Sequence, residues 1–268
     1  MVRHTPLVAF IACLMLLPAV AEAQRTDLAK ARALYNERQF DGAIEAALTA
    51  RSSAATADAA AIVQARAHLE RYRERADPAD LSAARAALAS VHASGLNARD
   101  RVEFLLALGQ SLFLEDDFGA AAEILESALE AAWQDADLHD ALLDWWASAI
   151  DRQAATLTRD PRQAAFERVE KRMRAELATD PTSATATYWA VVALRGAGDS
   201  TRAWDAAVAG WARARLMGDR TAAFRSDINR LVVEGIIPDR VTPLPVDERP
   251  AAEAQLKADW ELVKERWK

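Results

Sequence analysis

Cysteine is almost missing from this chain of 268 residues, Cys13 being the only one. A disulfide framework is thereby excluded, and with it the small secreted scaffolds that depend on one. Glycine and proline are scarce, nine of each, which excludes collagen-like and low-complexity chains. Aromatics reach only 7%, and no comparable stretch alternates apolar and polar residues with the period of a strand, so a sheet protein is not expected. Basic charge is in deficit: 33 Lys and Arg stand against 40 Asp and Glu, for a net charge of −7. That balance argues against nucleic acid as a partner. After the first two dozen residues no apolar run approaches the length of about 20 needed to cross a bilayer.

What is present begins with an address. Arg3 and His4 open the chain, Leu7 to Val20 form an apolar stretch interrupted by Pro18, and Ala21-Glu22-Ala23 supply the small-x-small pattern cut by signal peptidase. A cleavable leader over 1–23 and a periplasmic or secreted mature protein are expected, with the cut after Ala23. A competing reading makes Phe10-Ile11-Ala12-Cys13 a lipoprotein box acylated at Cys13. The apolar Leu14-Met15-Leu16-Leu17 that follows, in place of a polar tether, argues against it. The mature chain has no cysteine, so its stability must come from core burial.

Alanine fills close to a quarter of the chain, which favours helices whose backbones approach closely. Around Gly109 the sequence reads Leu105-x2-Leu108-Gly109-x2-Leu112-x5-Phe118-x2-Ala121-x3-Leu125-x2-Ala128-Leu129. A second copy runs Ala31-x2-Leu34-x5-Phe40-x2-Ala43-x3-Ala47-x2-Ala50, and a looser third runs Val191-x2-Leu194-x3-Gly198-Asp199-x3-Ala203-x3-Ala207, with Ser200 in the aromatic position. The pattern resembles the tetratricopeptide repeat, apart from its closing proline, which is Trp133 here. That resemblance implies antiparallel helix pairs with small residues where the two backbones cross.

Spacing gives a second test. Second-helix starts are expected at Phe40, Pro78, Phe118, Pro161 and Ser200, about forty residues apart against roughly 34 in the standard repeat. The reading is all-α: an antiparallel helix-pair solenoid over 24–235, with pairs at 25–52, 57–94, 99–133, 136–179 and 183–217 and a further helix at 221–235. Asp77-Pro78 and Asp160-Pro161 pair a capping acid with a proline suited to the first helical turn. Gly95, Gly196, Gly198 and Gly218 stand where helices should end. Four prolines, Pro238, Pro243, Pro245 and Pro250, predict an extended strap over 236–250. Beyond it, Leu256, Trp260, Val263 and Trp267 fall at helical spacing and predict a capping helix over 251–268. The rival reading of this helix is a detachable one that docks on a partner or membrane.

Chemistry is thinly represented. His68, His92 and His139 sit on three different expected helices without metal-type spacing, and the acids around His139 (Asp135, Asp137, Asp140, Asp144) suit a helix start. No nucleophile elbow, phosphate loop or catalytic cysteine is present, so neither enzyme nor cofactor is expected, the alternative being a hydrolase whose site no motif identifies. Arg66, Arg71, Arg73 and Arg75 interleave with Glu70 and Glu74, the pattern of a solvated helix face with Arg66 pairing Glu70.

All eight tryptophans lie at or after Trp133. Trp145 and Trp146 project about 100° apart on a helix, so one of them is expected to reach a groove. In proteins that resemble this repeat, the first helices of successive pairs line a concave face that receives peptides. Carried over by position, that face takes Gln110 and Phe113, then Trp146, Tyr188 and Arg195. The basic and amide clamp that some such proteins use for a peptide carboxylate is not recognisable. The leading expectation is an exported scaffold that binds a protein or peptide partner in this groove, with association to a membrane complex among its settings. The alternative is a periplasmic carrier of a small molecule or lipid, associated with a transporter and using a tryptophan-rich pocket.

Overall fold

The computed structural model describes residues 26–132 and 135–268. The expected leader with its cut after Ala23, Cys13, and Trp133 lie outside the described residues. Among the described residues every regular element is a helix and none is a strand. In chain order the helices are α1 (26–36), α2 (Phe40–Ala50), α3 (Ala57–Arg75), α4 (Pro78–Ala89), α5 (Ala98–Leu114), α6 (Phe118–Ala131) and α7 (Ala136–Ala154). They continue with α8 (Arg159–Thr179), α9 (Ala184–Gly196), α10 (Ser200–Arg213), α11 (Thr221–Leu231), α12 (Ile237–Val241) and α13 (Arg249–Arg266). Consecutive helices pack against one another: α3 on α2 and α4, α5 on α6, α9 on α8 and α10. First helices also meet first helices, α3 on α5 and α9 on α11.

The loops show why the chain folds back where it does. In three of them the backbone hydrogen bonds match: Gln39 N–H donates to Leu34 O (2.8 Å), Asp117 N–H to Leu112 O (2.9 Å) and Asp199 N–H to Leu194 O (3.0 Å). The residue before each donor, Arg38, Asp116 or Gly198, is left-handed, with φ of 60°, 64° and 88°. This is the six-residue closure of a Schellman motif, which satisfies the last carbonyls of the first helix and reverses the chain. Leu34, Leu112 and Leu194 each stand six residues before the second helix begins, at Phe40, Phe118 and Ser200. The three sequence copies therefore share one turn geometry. Ala76 (φ 53°) provides a fourth left-handed residue two positions ahead of a second helix, at Pro78, with Asp77 Oδ1 accepting from Ala79 N–H at 2.9 Å.

Helix crossing explains a glycine as well. A Cβ on Gly109 would lie 2.5 Å from Leu125 Cγ, so α5 and α6 approach at a point where no other residue fits unmoved. Gly196 plays a similar part against the Phe166 ring, and is the last residue of α9 rather than a left-handed cap. Gly198 and Gly218 are left-handed as expected, while Gly95 is not.

The described residues form two compact units, up to Leu138 and from His139 onward. In the first, alanines and leucines such as Ala65, Leu69, Ala84, Leu88 and Ala107 make a core of small side chains. First helices there are joined by charge: Arg32 of α1 bonds Asp100 of α5, and Arg66 of α3 reaches Glu103 of α5 at 3.4 Å while stacking over Tyr35 of α1. Arg66 thus pairs across helices and Glu70 takes Arg73 at 2.8 Å, in place of the expected pair between Arg66 and Glu70.

In the second unit the core is aromatic and β-branched. Trp211, Phe224, Ile228, Val232, Ile236, Ile237 and Trp260 are buried together. The expected strap is corrected here. Residues 232–241 are helical, first a π-helical turn at Val232–Ile236 and then α12, and only 242–248 lack helix. Pro250 sits in the first turn of α13, where a missing N–H costs nothing, and Pro238 follows closely on the π-helical turn. Arg249 holds the remaining turn by donating to Leu244 O at 3.0 Å and Thr242 O at 2.7 Å. Helix α8 starts at Arg159, two residues ahead of the expected proline, with Asp160 inside its first turn rather than at its cap. Helix α13 lies against α10 and α12, with Trp260 fully buried between the Trp204 and Trp211 rings at 5.8 and 5.4 Å.

Candidate functional site

The helix faces in the second unit leave a groove along α9. Helix periodicity puts Ala184, Thr185, Tyr188, Val192 and Arg195 on one face of α9, and this face forms one wall of three clefts. The first cleft, of about 320 Å³, is bounded by Asp144 of α7, by Tyr188, and by Phe224, Asp227 and Arg230 of α11. The second, of about 240 Å³, shares Tyr188 and Arg230 and adds Arg195, Glu234 and Gly235. The third, of about 390 Å³, shares Arg195 and continues to Asp151 and Arg152 of α7, Arg162 and Phe166 of α8, and Asp239 of α12. The shared residues make them one groove, whose walls are α7, α9 and α11, the first helices of successive pairs and the helix that follows.

Polar bonds fix the groove's walls. Trp189 Nε1 donates to Asp144 Oδ1 at 2.8 Å and Thr185 Oγ1 to Asp140 Oδ2 at 2.9 Å, tying α9 to α7. Arg220, in the short turn ahead of α11, also bonds Asp140. Arg230 pairs with Asp227 one turn earlier at 2.8 Å. Arg195 Nε donates to Asp239 Oδ2 at 2.6 Å, and its guanidinium lies against Gly235, where a Cβ would be 2.9 Å from Cζ. The π-helical turn brings this glycine to the groove, a role such turns often have.

Electrostatics differ along the groove. Burial pushes the Tyr188 phenol above its usual range, with the Asp227 carboxylate acting in the same direction. Burial likewise raises the Asp151 carboxyl, although Arg152, Arg195 and Arg162 pull it down. Among the described residues the Asp151 carboxylate accepts no hydrogen bond, so it is near three guanidinium groups but fastened to none.

Of the five residues expected on the concave face, Tyr188 and Arg195 line this groove together. The other three do not. Trp146 is 1% exposed and packs in the core, because the neighbouring Leu142, Leu143, Ala147 and Ile150 on its side of α7 are buried too. Its neighbour Trp145 is the half-buried member of the pair. Gln110 is 3% exposed on α5, with its Oε1 lacking a hydrogen-bond partner. Phe113 spends its ring on Phe118, 5.2 Å away across the turn. Sequence reasoning missed Arg152, Arg162, Asp151 and Asp227, which are spread over three helices and carry no common motif.

Tryptophan does not line these three clefts. Trp146, Trp189, Trp211 and Trp260 are buried, and Trp204 carries Arg240 over its ring at 5.6 Å. His139 pairs with Glu176 at 3.0 Å. Among the described residues no group of three or more His, Cys, Asp or Glu side chains is placed to hold a metal ion, and no helix is long and apolar enough to cross a membrane. No family model, curated protein or solved structure matches the chain.

Proposed function

We propose that this protein is an exported binding scaffold of tetratricopeptide-like helix pairs, and that the groove along α9 receives a segment of a protein partner. The observation that carries this reading is the continuity of the groove: Tyr188 and Arg195, picked out by position in the repeat, line it together with Asp144, Asp227 and Arg230. The repeated Schellman turns and the Gly109 crossing support the family likeness. A preformed wall of helices costs little ordering on binding, which suits recognition of an extended segment.

The lining combines an apolar floor of Ala184, Ala223 and Phe224 with charges of both signs. Such a surface recognises a partner of mixed charge through a few apolar anchors and directed polar bonds. The alternative of a small-molecule or lipid carrier with a tryptophan-rich pocket draws no support from these three clefts, whose lining contains no tryptophan.

The test is affinity against substitution, once a partner has been captured by crosslinking in the cell of origin. Tyr188→Ala and Arg230→Glu are expected to weaken binding at least tenfold, since central aromatic and arginine contacts dominate interfaces. Arg85→Ala, in the other unit, is expected to leave it unchanged. Equal affinity for all three variants would contradict the assignment of the groove.

A further inference from the structure

The arginine-rich end of the groove carries a more specific reading. Arg152 closes α7, Arg162 lies in the first turns of α8, and Arg195 near the end of α9 faces them across a cleft of about 390 Å³. Helix pairing brings together here three guanidinium groups that the sequence keeps far apart. Two of them are positioned by their Nε atoms: Arg162 Nε donates to Ala154 O at 3.1 Å and Arg195 Nε to Asp239 at 2.6 Å. Each therefore keeps its terminal Nη donors for something else, and among the described residues those donors have no hydrogen-bond partner.

Of the two acids in this wall, Asp239 is already bonded to Arg195 Nε. Asp151 is the acid nearest in chain to the cluster, yet it accepts no hydrogen bond from it, and burial disfavours its charged form. Forked donors aimed by their Nε bonds match a planar or tetrahedral oxyanion, which takes two parallel bonds from a guanidinium.

We propose that this cleft is an oxyanion site, holding a carboxylate or phosphate group of the bound molecule between Arg162 and Arg195. The assignment rests on the groove being a binding surface and adds the chemical class taken at one end of it. Phe166 and Val192 at the base of the cleft supply apolar contact beside the anion, so an oxyanion borne on a carbon chain fits better than a fully hydrated ion.

Calorimetric titration of the full chain at low ionic strength tests this, with inorganic phosphate in one arm and succinate in the other. Saturable binding of one equivalent is expected in at least one arm, and the tighter probe identifies the source. Arg162→Ala and Arg195→Ala should each weaken it tenfold or more, the scale of a lost charge-assisted hydrogen bond. Asp151→Asn should tighten it several-fold by removing the competing carboxylate. Since Arg195 also holds Asp239, circular dichroism of each variant checks the fold, and Arg162, which is exposed, provides the independent readout. Absence of saturable binding in both arms, or binding indifferent to both arginine substitutions, overturns the site. Crosslinking of a partner at Tyr188 that persists in that case leaves the groove standing and removes only the oxyanion.

Discussion

At the scale of the residue, backbone sterics decide more than side-chain chemistry does. Ala76 occupies a left-handed conformation at φ 53°, which costs an L-residue about 1–2 kcal/mol. Ala76→Gly removes that cost and adds the entropy of a freer unfolded chain, roughly 0.5–1 kcal/mol. The expected outcome is a small rise in melting temperature, measured by thermal denaturation. Gly109 is the reverse case. Gly109→Val places atoms inside contact distance of Leu125 and should destabilise by about 1–3 kcal/mol, measurable by urea unfolding. The sequence showed Gly109 as a small residue in the repeat frame, and the structure gives the reason. It could not show which of Trp145 and Trp146 turns inward, because that depends on where α7 meets its neighbours, not on the local pattern.

At the scale of the element, the turns are where sequence and structure agree most closely. Phe40, Pro78, Phe118 and Ser200 each start a helix as expected, since a short polar loop with a left-handed residue leaves little freedom about where the next helix begins. The expected strap is helical at both ends, because Pro238 follows closely on the π-helical turn and Pro250 stands in the first turn of α13. Helix α13 gives a direct test of capping against detachment. Trp260 is fully buried among Trp204, Trp211 and the π-helical turn, and its Nε1 donates to Asn229 at 3.0 Å. Trp260→Ala should cost about 3–5 kcal/mol in urea unfolding. A helix that docks only on a partner would leave stability unchanged.

Ion pairs fasten α2, α3 and α4, and they set an acid limit. Bonds from Arg75 and Arg71 hold the Asp41 carboxyl down at about 2. Burial raises Asp80, but Arg71 and His68 outweigh it and the net direction is down. Both carboxyls are thus more acidic folded than unfolded, so their contribution is complete above about pH 4 and is lost as pH falls from there towards 2. Asp151 acts with the opposite sign, since its raised value makes the fold lose stability as it ionises. Acid titration followed by circular dichroism should show stability falling below pH 4 in the parent chain, and a smaller fall in Asp80→Asn.

At the scale of the whole molecule, the two units differ in what their first helices do. In the first, Arg32, Arg66, Asp100 and Glu103 bind these helices to one another. In the second, α7, α9 and α11 stand around a groove. Alanine content, turn spacing and repeat copies made the helix order legible in the sequence, because they are local. The groove was legible only at Tyr188 and Arg195, which the repeat frame places by position. Its arginine end was not, because Arg152, Arg162 and Arg195 become neighbours only through helix pairing.

The most direct test is a crosslinking scan of the full chain in its cell of origin, with a photoreactive residue placed in turn at 185, 188, 192 and 195 along α9, and at the exposed Leu48 and Leu262 as controls. The account predicts one partner protein of constant mass crosslinked from the α9 positions and absent from the controls. Equal capture from the controls, or capture confined to them, would contradict it.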